Sequence, residues 1–274
     1  MPALLAGERL AAALALNHSS YQVAMLLGPA AAGGLTAAFG LPWCFAFDTV
    51  TFTAGLIGLS GLPTGLTGGA GRAGLTAVKD GLSYASRTPE VRGALLADLA
   101  ATVLAMPFVL FPVINAERFG GRPQVLGLFA TAVAVGGVTA SVLSGLATGR
   151  RRPGVVLLTC GAIWALSLGL VGIATHLSAV LALLACAGAA DTWAVVSRGT
   201  VVQSVTPAAY LGRVSSLELV AGTGGPQLGN VRAGLVAAAT SGGAALAIGG
   251  LTGLAATALI AVTTPALRRF AVDD

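Results

Sequence analysis

Long apolar stretches that are almost free of charge alternate with short polar gaps along nearly the whole chain. Each stretch holds roughly 20 residues, enough to cross a hydrocarbon core of about 30 Å as an α-helix. Backbone polar groups in lipid need partners within their own segment, so helices are expected rather than the short alternating strands of a β-barrel. The eight predicted spans are 14–38, 42–63, 93–116, 124–148, 154–175, 178–200, 214–238 and 244–266.

Composition excludes an ordinary soluble domain. Apolar residues fill 55% of the 274 positions and charged residues only 9%, whereas soluble domains carry about 25% charged residues. The three cysteines, Cys44, Cys160 and Cys186, lie inside apolar runs without metal-ligand spacing, which indicates packing residues. The sequence contains no nucleotide-binding, catalytic-triad or zinc motif, so we expect neither an enzyme nor a cofactor.

Basic residues predict the orientation of the chain in the membrane. One side would hold both termini, the 64–92 linker and the 201–213 loop, with Arg9, Arg72, Lys79, Arg87, Arg92, Arg150, Arg151, Arg152, Arg213, Arg268 and Arg269. Only Arg118 and Arg122 fall on the opposite side. Cytoplasmic loops carry an excess of Lys and Arg, so both termini are predicted to be cytoplasmic. The net charge of +5 is therefore explained by topology, and nucleic acid is not an expected partner.

The linker 64–92 separates a first part, 1–63, from a second, 93–274. Residues 64–74 are rich in Gly and Thr, as flexible connectors are. After them, apolar residues recur at helical spacing, namely Leu75, Val78, Leu82 and Ala85. This pattern predicts a short helix on the inner membrane surface, and a solvated connector is the alternative.

The first two and the last two spans form a weak internal repeat with an offset of 201 residues. The repeat aligns Gly28 with Gly229 and brings Gly28-Pro29 within about one helical turn of Gly225-Pro226. Such interruptions at corresponding places in two halves are typical of transporters. If 93–266 is one six-helix unit, a matching unit would begin 201 residues earlier. We therefore expect that four helices are absent from this chain.

Several short motifs carry a resemblance to a known family. They are Leu5–Leu10, Gly28–Gly34, Asp98–Pro107, Gly188–Asp191, Thr206–Val214 and Gly224–Gly229. Together they resemble the major facilitator superfamily, in the multidrug and siderophore exporter branch that includes the enterobactin exporter. The resemblance covers about residues 1 to 270 and begins just before the family's fifth helix.

The resemblance implies an all-α, polytopic protein of the bacterial inner membrane, built from two six-helix bundles around a central cavity. About 8 transmembrane helices would be present: helices 5 and 6 of the family within 1–63, and a complete C-terminal bundle within 93–274. The implied activity is proton-coupled export of a small amphipathic molecule by alternating access. The expected partners are the bilayer and that molecule, with a monomer expected for the full-length protein.

Two alternatives to this activity remain open. The chain could be the membrane subunit of an ATP-driven transporter, which predicts a partner ATPase. It could also be a truncated fragment without transport activity, because activity could need a partner or the missing helices.

Small residues in two spans predict close contacts between neighbouring helices, which we call helix seams. The stretch Gly28–Gly34 resembles the family's helix-five exporter motif, with Ala32 at one of its glycine positions. Small residues let neighbouring helices approach closely and proline bends the span, although simple close packing is the alternative. The predicted seam residues are Gly28, Pro29, Gly33, Gly34, Gly225, Pro226 and Gly229.

A run of three arginines, Arg150, Arg151 and Arg152, occupies the place of the family's cytoplasmic loop motif. The acidic and glycine positions of that motif are missing, so the run is interpreted as a topology anchor rather than as a gate. Arg213 belongs to the next cytoplasmic loop.

Ionisable side chains at predicted membrane depth are the candidate transport residues. They are Asp48, Asp98, Asp191, Arg198, Glu218 and Arg232. Each would cost about 2.5 to 3.5 kcal/mol if it faced lipid, so all six must face protein or water. Similar depths predict an inner-leaflet cluster of Asp98 and Glu218 around Arg198.

Three of these residues, Asp98, Asp191 and Arg198, lie on spans that resemble cavity-lining helices. For them we predict proton carriage or substrate contact, and a structural ion-pair network is the alternative. Asp191 lies seven residues before Arg198, deepest in the membrane, and is the predicted coupling acid. Packing or seam roles are predicted for the other three.

Overall fold

The computed structural model describes residues 39–60, 75–106, 108–143 and 152–271. The chain divides into two compact units, Met1–Ala73 and Gly74–Asp274. This division falls inside the predicted linker, so the second half of the linker belongs to the second unit. The described residues form helices and no strand, in agreement with the all-α, polytopic fold predicted from the sequence.

In the first unit, helix α1 (Leu41–Ser60) coincides with the predicted second span. Its threonine hydroxyls donate within the helix, from Thr49 to the Phe45 carbonyl at 2.7 Å and from Thr53 to the Thr49 carbonyl at 2.7 Å. Such bonds satisfy hydroxyls that lipid could not hydrogen-bond. The predicted first span and the seam residues Gly28, Pro29, Gly33 and Gly34 lie outside the described residues.

The second unit begins with α2 (Leu75–Arg87) and a long interrupted span, α3 (Pro89–Leu99), a π-helical turn (Ala100–Leu104), a 3-10 turn (Phe108–Leu110) and α4 (Phe111–Phe119). It continues with α5 (Pro123–Val142), α6 (Pro153–Val171), α7 (Leu177–Val205), α8 (Ala208–Ala239), α9 (Gly242–Thr263) and α10 (Pro265–Arg269). Several helices have proline in the first turn, where its missing N–H and fixed φ suit helix initiation. Ser241 caps α9 by accepting from the Ala244 amide at 3.1 Å.

Five stretches in the described part of the chain are long and apolar enough to cross a membrane. They are Pro89–Phe119, Pro123–Val142, Pro153–Val171, Leu177–Val205 and Gly242–Thr263. Each coincides within a few residues with a predicted span. The predicted seventh span lies within α8, whose Gln227, Asn230 and Arg232 lower its hydropathy below that of the other five.

Glycine allows the helices of the second unit to pack with their backbones close together. A Cβ at Gly136 of α5 would collide with the Ala185 carbonyl of α7, and a Cβ at Gly188 of α7 with the Val133 carbonyl of α5. The same holds between α6 and α9, where Gly169 and Gly250 face each other. Helices in lipid associate through such close van der Waals contact because burying apolar surface gains little there.

The span that carries Asp98 is broken near its middle. The helix changes from α to π at Ala100, and Ala105 leaves the helical region with φ −119° and ψ 26°. Pro112 lies in the first turn of α4, where the chain resumes its helix. Proline bends membrane helices, and Pro107, which the structure does not describe, follows directly after the break in the sequence.

The linker helix α2 packs against the start of α8. Tyr84 stacks on Tyr210 with ring centroids 4.9 Å apart, and its hydroxyl donates to the Val205 carbonyl at 3.2 Å. A helix was predicted here, and the structure has one; Ala85 is buried against protein, whereas Leu82 is 56% exposed, so the location of its apolar stripe on the membrane surface stays a prediction. Gly81 also lies against α8, because a Cβ there would come 2.7 Å from the Arg213 carbonyl oxygen.

Candidate transport site

Three helices bring their charged side chains together in the second unit. Arg198 of α7 forms an ion pair with Asp98 of α3, and its Nε lies 3.6 Å from Oε1 of Glu218 on α8. The side chains of Arg198, Asp98 and Glu218 are 16%, 13% and 21% exposed. We call these three residues the ion cluster. The sequence analysis predicted that these three residues lie close together, because their depths along the spans are similar.

Local structure explains how the ion cluster is held. Asp98 is the second-last residue of α3, and its carbonyl accepts from the Thr102 hydroxyl at 2.8 Å across the π-helical turn. Arg198 follows the buried Ser197 on α7, which packs against α3 through a core that includes Val91, Leu95 and Val202. Apolar packing therefore fixes the backbones from which the charges project.

Hydrogen bonding within the ion cluster is incomplete. Oδ2 of Asp98 and Nε of Arg198 are buried and have no hydrogen-bond partner among the described residues. A buried polar atom without a partner costs free energy, and a catalytic role or a bound water or ion is among the explanations for such an atom. The free oxygen of Asp98 can accept a proton or a donor from a bound molecule.

Asp191 is not a member of the ion cluster but lies close enough to interact electrostatically with Asp98 and Arg198. It lies on α7, two turns before Arg198, and is exposed. Within the part of the chain that the structure describes, Asp191 makes no ion pair. The role of Asp191 in coupling stays a prediction.

The predicted seam residues of α8 lie against the broken span. A Cβ at Gly225 would come 2.5 Å from Oγ1 of Thr102, and one at Gly229 would come 2.8 Å from Cβ of Met106. Pro226 lies between them, inside the helix. These glycines thus form a seam within the second unit, and a seam between bundles stays a prediction.

The basic loop residues are described only in part. Arg150 and Arg151 lie outside the described residues, and Arg152 is exposed immediately before α6. Arg213 has its Nε 3.8 Å from Oδ2 of Asp80, and its guanidinium lies 5.4 Å from the ring centroid of Tyr210. The anchor role of the arginine run stays a prediction.

Two arginines make contacts that sequence analysis missed. Arg232 of α8 donates from Nε to the Val103 carbonyl at 3.0 Å and from Nη2 to the Leu104 carbonyl. Arg118 donates to the carbonyls of Val171 at 3.0 Å, Ala174 at 2.7 Å and Gly172. Both arginines bind backbone carbonyls. Every residue has a carbonyl, so the sequence does not indicate which residue is the partner.

No group of His, Cys, Asp and Glu that could hold a metal ion occurs among the described residues.

Sequence comparisons agree with this architecture. The profile of the transmembrane secretion effector family matches residues 1–273. The enterobactin exporter EntS of Shigella boydii serotype 18 is 25% identical over 272 residues, which cover 98% of this chain and 65% of that protein. The chain therefore spans less than two thirds of the length of this relative, and no solved structure matches it. The chain belongs to the transmembrane secretion effector family, the multi-pass, exporter-like transporters of the major facilitator superfamily.

Proposed function

We propose that the chain serves proton-coupled export of a small amphipathic molecule by alternating access. The single observation that carries this proposal is the ion cluster, three charges held where three helices meet inside an apolar bundle. An unpaired charge at this depth is costly. When a proton neutralises one member of an ion pair, the other member must therefore find a new partner. That requirement links proton movement to helix movement.

The free oxygen of Asp98 is where this exchange takes place in our proposal. When Asp98 is ionised, the ion pair with Arg198 ties α3 to α7. A proton on Asp98 removes its charge, and Arg198 then depends on Glu218, whose oxygen is 3.6 Å away on α8. Protonation of Asp98 thus moves the ion pair of Arg198 from Asp98 on α3 to Glu218 on α8. Asp191, two turns before Arg198 on the same helix, is the proposed coupling acid that receives the proton first.

The orientation and the transported molecule belong to the same proposal. The distribution of basic loop residues favours cytoplasmic termini. The name of the matched relative, an enterobactin exporter, supports outward movement of a siderophore-like molecule or a drug. Most residues of the helices are apolar, which suits an amphipathic substrate.

Inside-out membrane vesicles from cells that make the chain provide the test. We expect an acidic interior to drive accumulation of ethidium or enterobactin in vesicles with the chain, and a protonophore to abolish it. Vesicles from cells without the chain are the control. ATP-dependent accumulation that survives the protonophore would contradict proton coupling and support an ATP-driven transporter. No accumulation by a folded chain would instead support the non-transporting fragment.

A further inference from the structure

The break in the Asp98 span leaves a backbone carbonyl without its usual donor. In an α-helix, the Val103 carbonyl would accept from the amide of residue 107. Residue 107 is proline, which has no amide hydrogen. The π-helical turn ends at Leu104, and Ala105 has left the helical region. Carbonyls at membrane depth need a donor from elsewhere, since lipid supplies none.

Arg232 supplies that donor from the neighbouring helix. Its Nε–H bonds the Val103 carbonyl at 3.0 Å, and Nη2 bonds the adjacent Leu104 carbonyl. The planar guanidinium carries several donors in a fixed fork and stays charged, so it suits two successive carbonyls better than an ammonium group does. Gly249 of α9 leaves the space for it, because a Cβ there would lie 2.9 Å from Nη2 of Arg232.

Helix α8 holds the broken span at three successive levels. Glu218 lies beside Arg198, the ion-pair partner of Asp98; Gly225 and Gly229 contact Thr102 at the π-helical turn; and Arg232 binds the end of that turn. Asp98 lies just before the π-helical turn, and the carbonyls bound by Arg232 end it. The turn is therefore fixed at both ends, and π-helical turns often occur at functional sites.

We propose that Arg232 is a positioning residue that fixes the break to α8 and so sets the position of Asp98 against Arg198. This role rests on the proposed function for its effect on transport. Its effect on the local structure does not depend on transport, so the two ideas can fail separately.

Hydrogen exchange measured by mass spectrometry on the full chain in lipid nanodiscs tests the structural part. In Arg232→Met, which has similar bulk and no donor, amides of residues 100–111 should exchange at least about tenfold faster than in the wild type. Arg232→Lys, with one compact cation, should give an intermediate rate. Arg118→Met is the matched control, since it removes another guanidinium from backbone carbonyls. It should accelerate exchange near 171–174 and leave 100–111 unchanged.

A second variant separates positioning from packing. Pro107→Ala restores an amide hydrogen that can continue the helical ladder to Val103. Added to Arg232→Met, it should return exchange in 100–111 to within about threefold of the wild-type rate, because the lost donor is replaced. Unchanged exchange in Arg232→Met, equal acceleration in every helix, or no recovery with Pro107→Ala would each overturn the proposal.

The pH dependence of ethidium accumulation in inside-out vesicles tests the effect on transport. If Arg232 sets the position of Asp98, Arg232→Met should displace the pH profile, and Pro107→Ala should return it. Altered exchange with an unchanged pH profile would overturn the positioning of Asp98. Vesicles in which even the wild-type chain shows no gradient-driven accumulation would overturn the proposed function, while the exchange result would still decide the structural part.

Discussion

Two helix seams in the second unit are built from different chemistry. The glycine seam joins α6 and α9 through Gly169, Gly172 and Gly250, with backbones in direct contact. The charged seam joins the Asp98 span to α7 and α8 through the ion cluster and Arg232. Close backbone contact has one good arrangement, whereas charges can exchange partners. In the proposed mechanism, the exchange of partners therefore belongs to the charged seam, and the glycine seam stays fixed.

The largest expected effect comes from removing the centre of the charged seam. Arg198→Met leaves Asp98 and Glu218 without their cation, and breaking a buried pair in this way costs about 3 to 5 kcal/mol. Thermal unfolding in detergent measures the loss. Adding Asp98→Asn should recover part of it, because one unpaired charge is then gone. A double variant no more stable than Arg198→Met would show that Asp98 and Arg198 do not interact.

The glycine seam should tolerate almost no added volume. In Gly250→Ala, the new Cβ would lie 2.6 Å from the Ala165 carbonyl, so two backbones must separate. We expect a loss of about 2 kcal/mol, measured in the same unfolding experiment. Gly222→Ala of α8, where a Cβ meets nothing within 4 Å, is the control and should be neutral or slightly stabilising. Equal stability of the two variants would contradict a close-packed seam.

At Gly225, beside the charged seam, an added methyl group should cost less than at Gly250 in the glycine seam. In Gly225→Ala, the nearest atom is Oγ1 of Thr102 at 2.5 Å, and that hydroxyl belongs to a side chain that can rotate. About 1 kcal/mol is expected, because the rotation breaks the bond from Thr102 to the Asp98 carbonyl. A destabilisation as large as that of Gly250→Ala would show that the two seams are equally rigid.

The smallest effect is expected outside both seams, at the contact between α2 and α8. The pair of Asp80 and Arg213 is about half exposed, with side chains 56% and 44% exposed, so water screens it. Asp80→Asn should change stability by less than about 0.5 kcal/mol. Tyr84→Ala, which also removes the stacking on Tyr210, should cost more, about 1 kcal/mol. An equal loss of stability in the two variants would show that the exposed charge pair stabilises this contact as much as the tyrosine stacking does, against this prediction.

The sequence was sufficient to predict five of the eight spans and the proximity of the ion cluster, because both follow from lengths and spacings along the chain. Apolar runs fix where helices lie in the membrane, and helical rise then gives the relative depths of Asp98, Arg198 and Glu218. The contacts of Arg232 and Arg118 escaped prediction because any backbone carbonyl can accept from an arginine. The packing of α2 on α8 also escaped prediction, because a glycine in contact with a backbone, as Gly81 is with Arg213, leaves no apolar signal in the sequence.

The most direct test of the account is gradient-driven ethidium accumulation by three carboxyl variants in inside-out vesicles. The account predicts that Asp98→Asn and Asp191→Asn still bind ethidium but no longer accumulate it when the interior is acidic. Asp48→Asn, on α1 and outside the ion cluster, should accumulate ethidium as the wild type does. Accumulation at the wild-type rate by both Asp98→Asn and Asp191→Asn would contradict a coupling role for the charged seam.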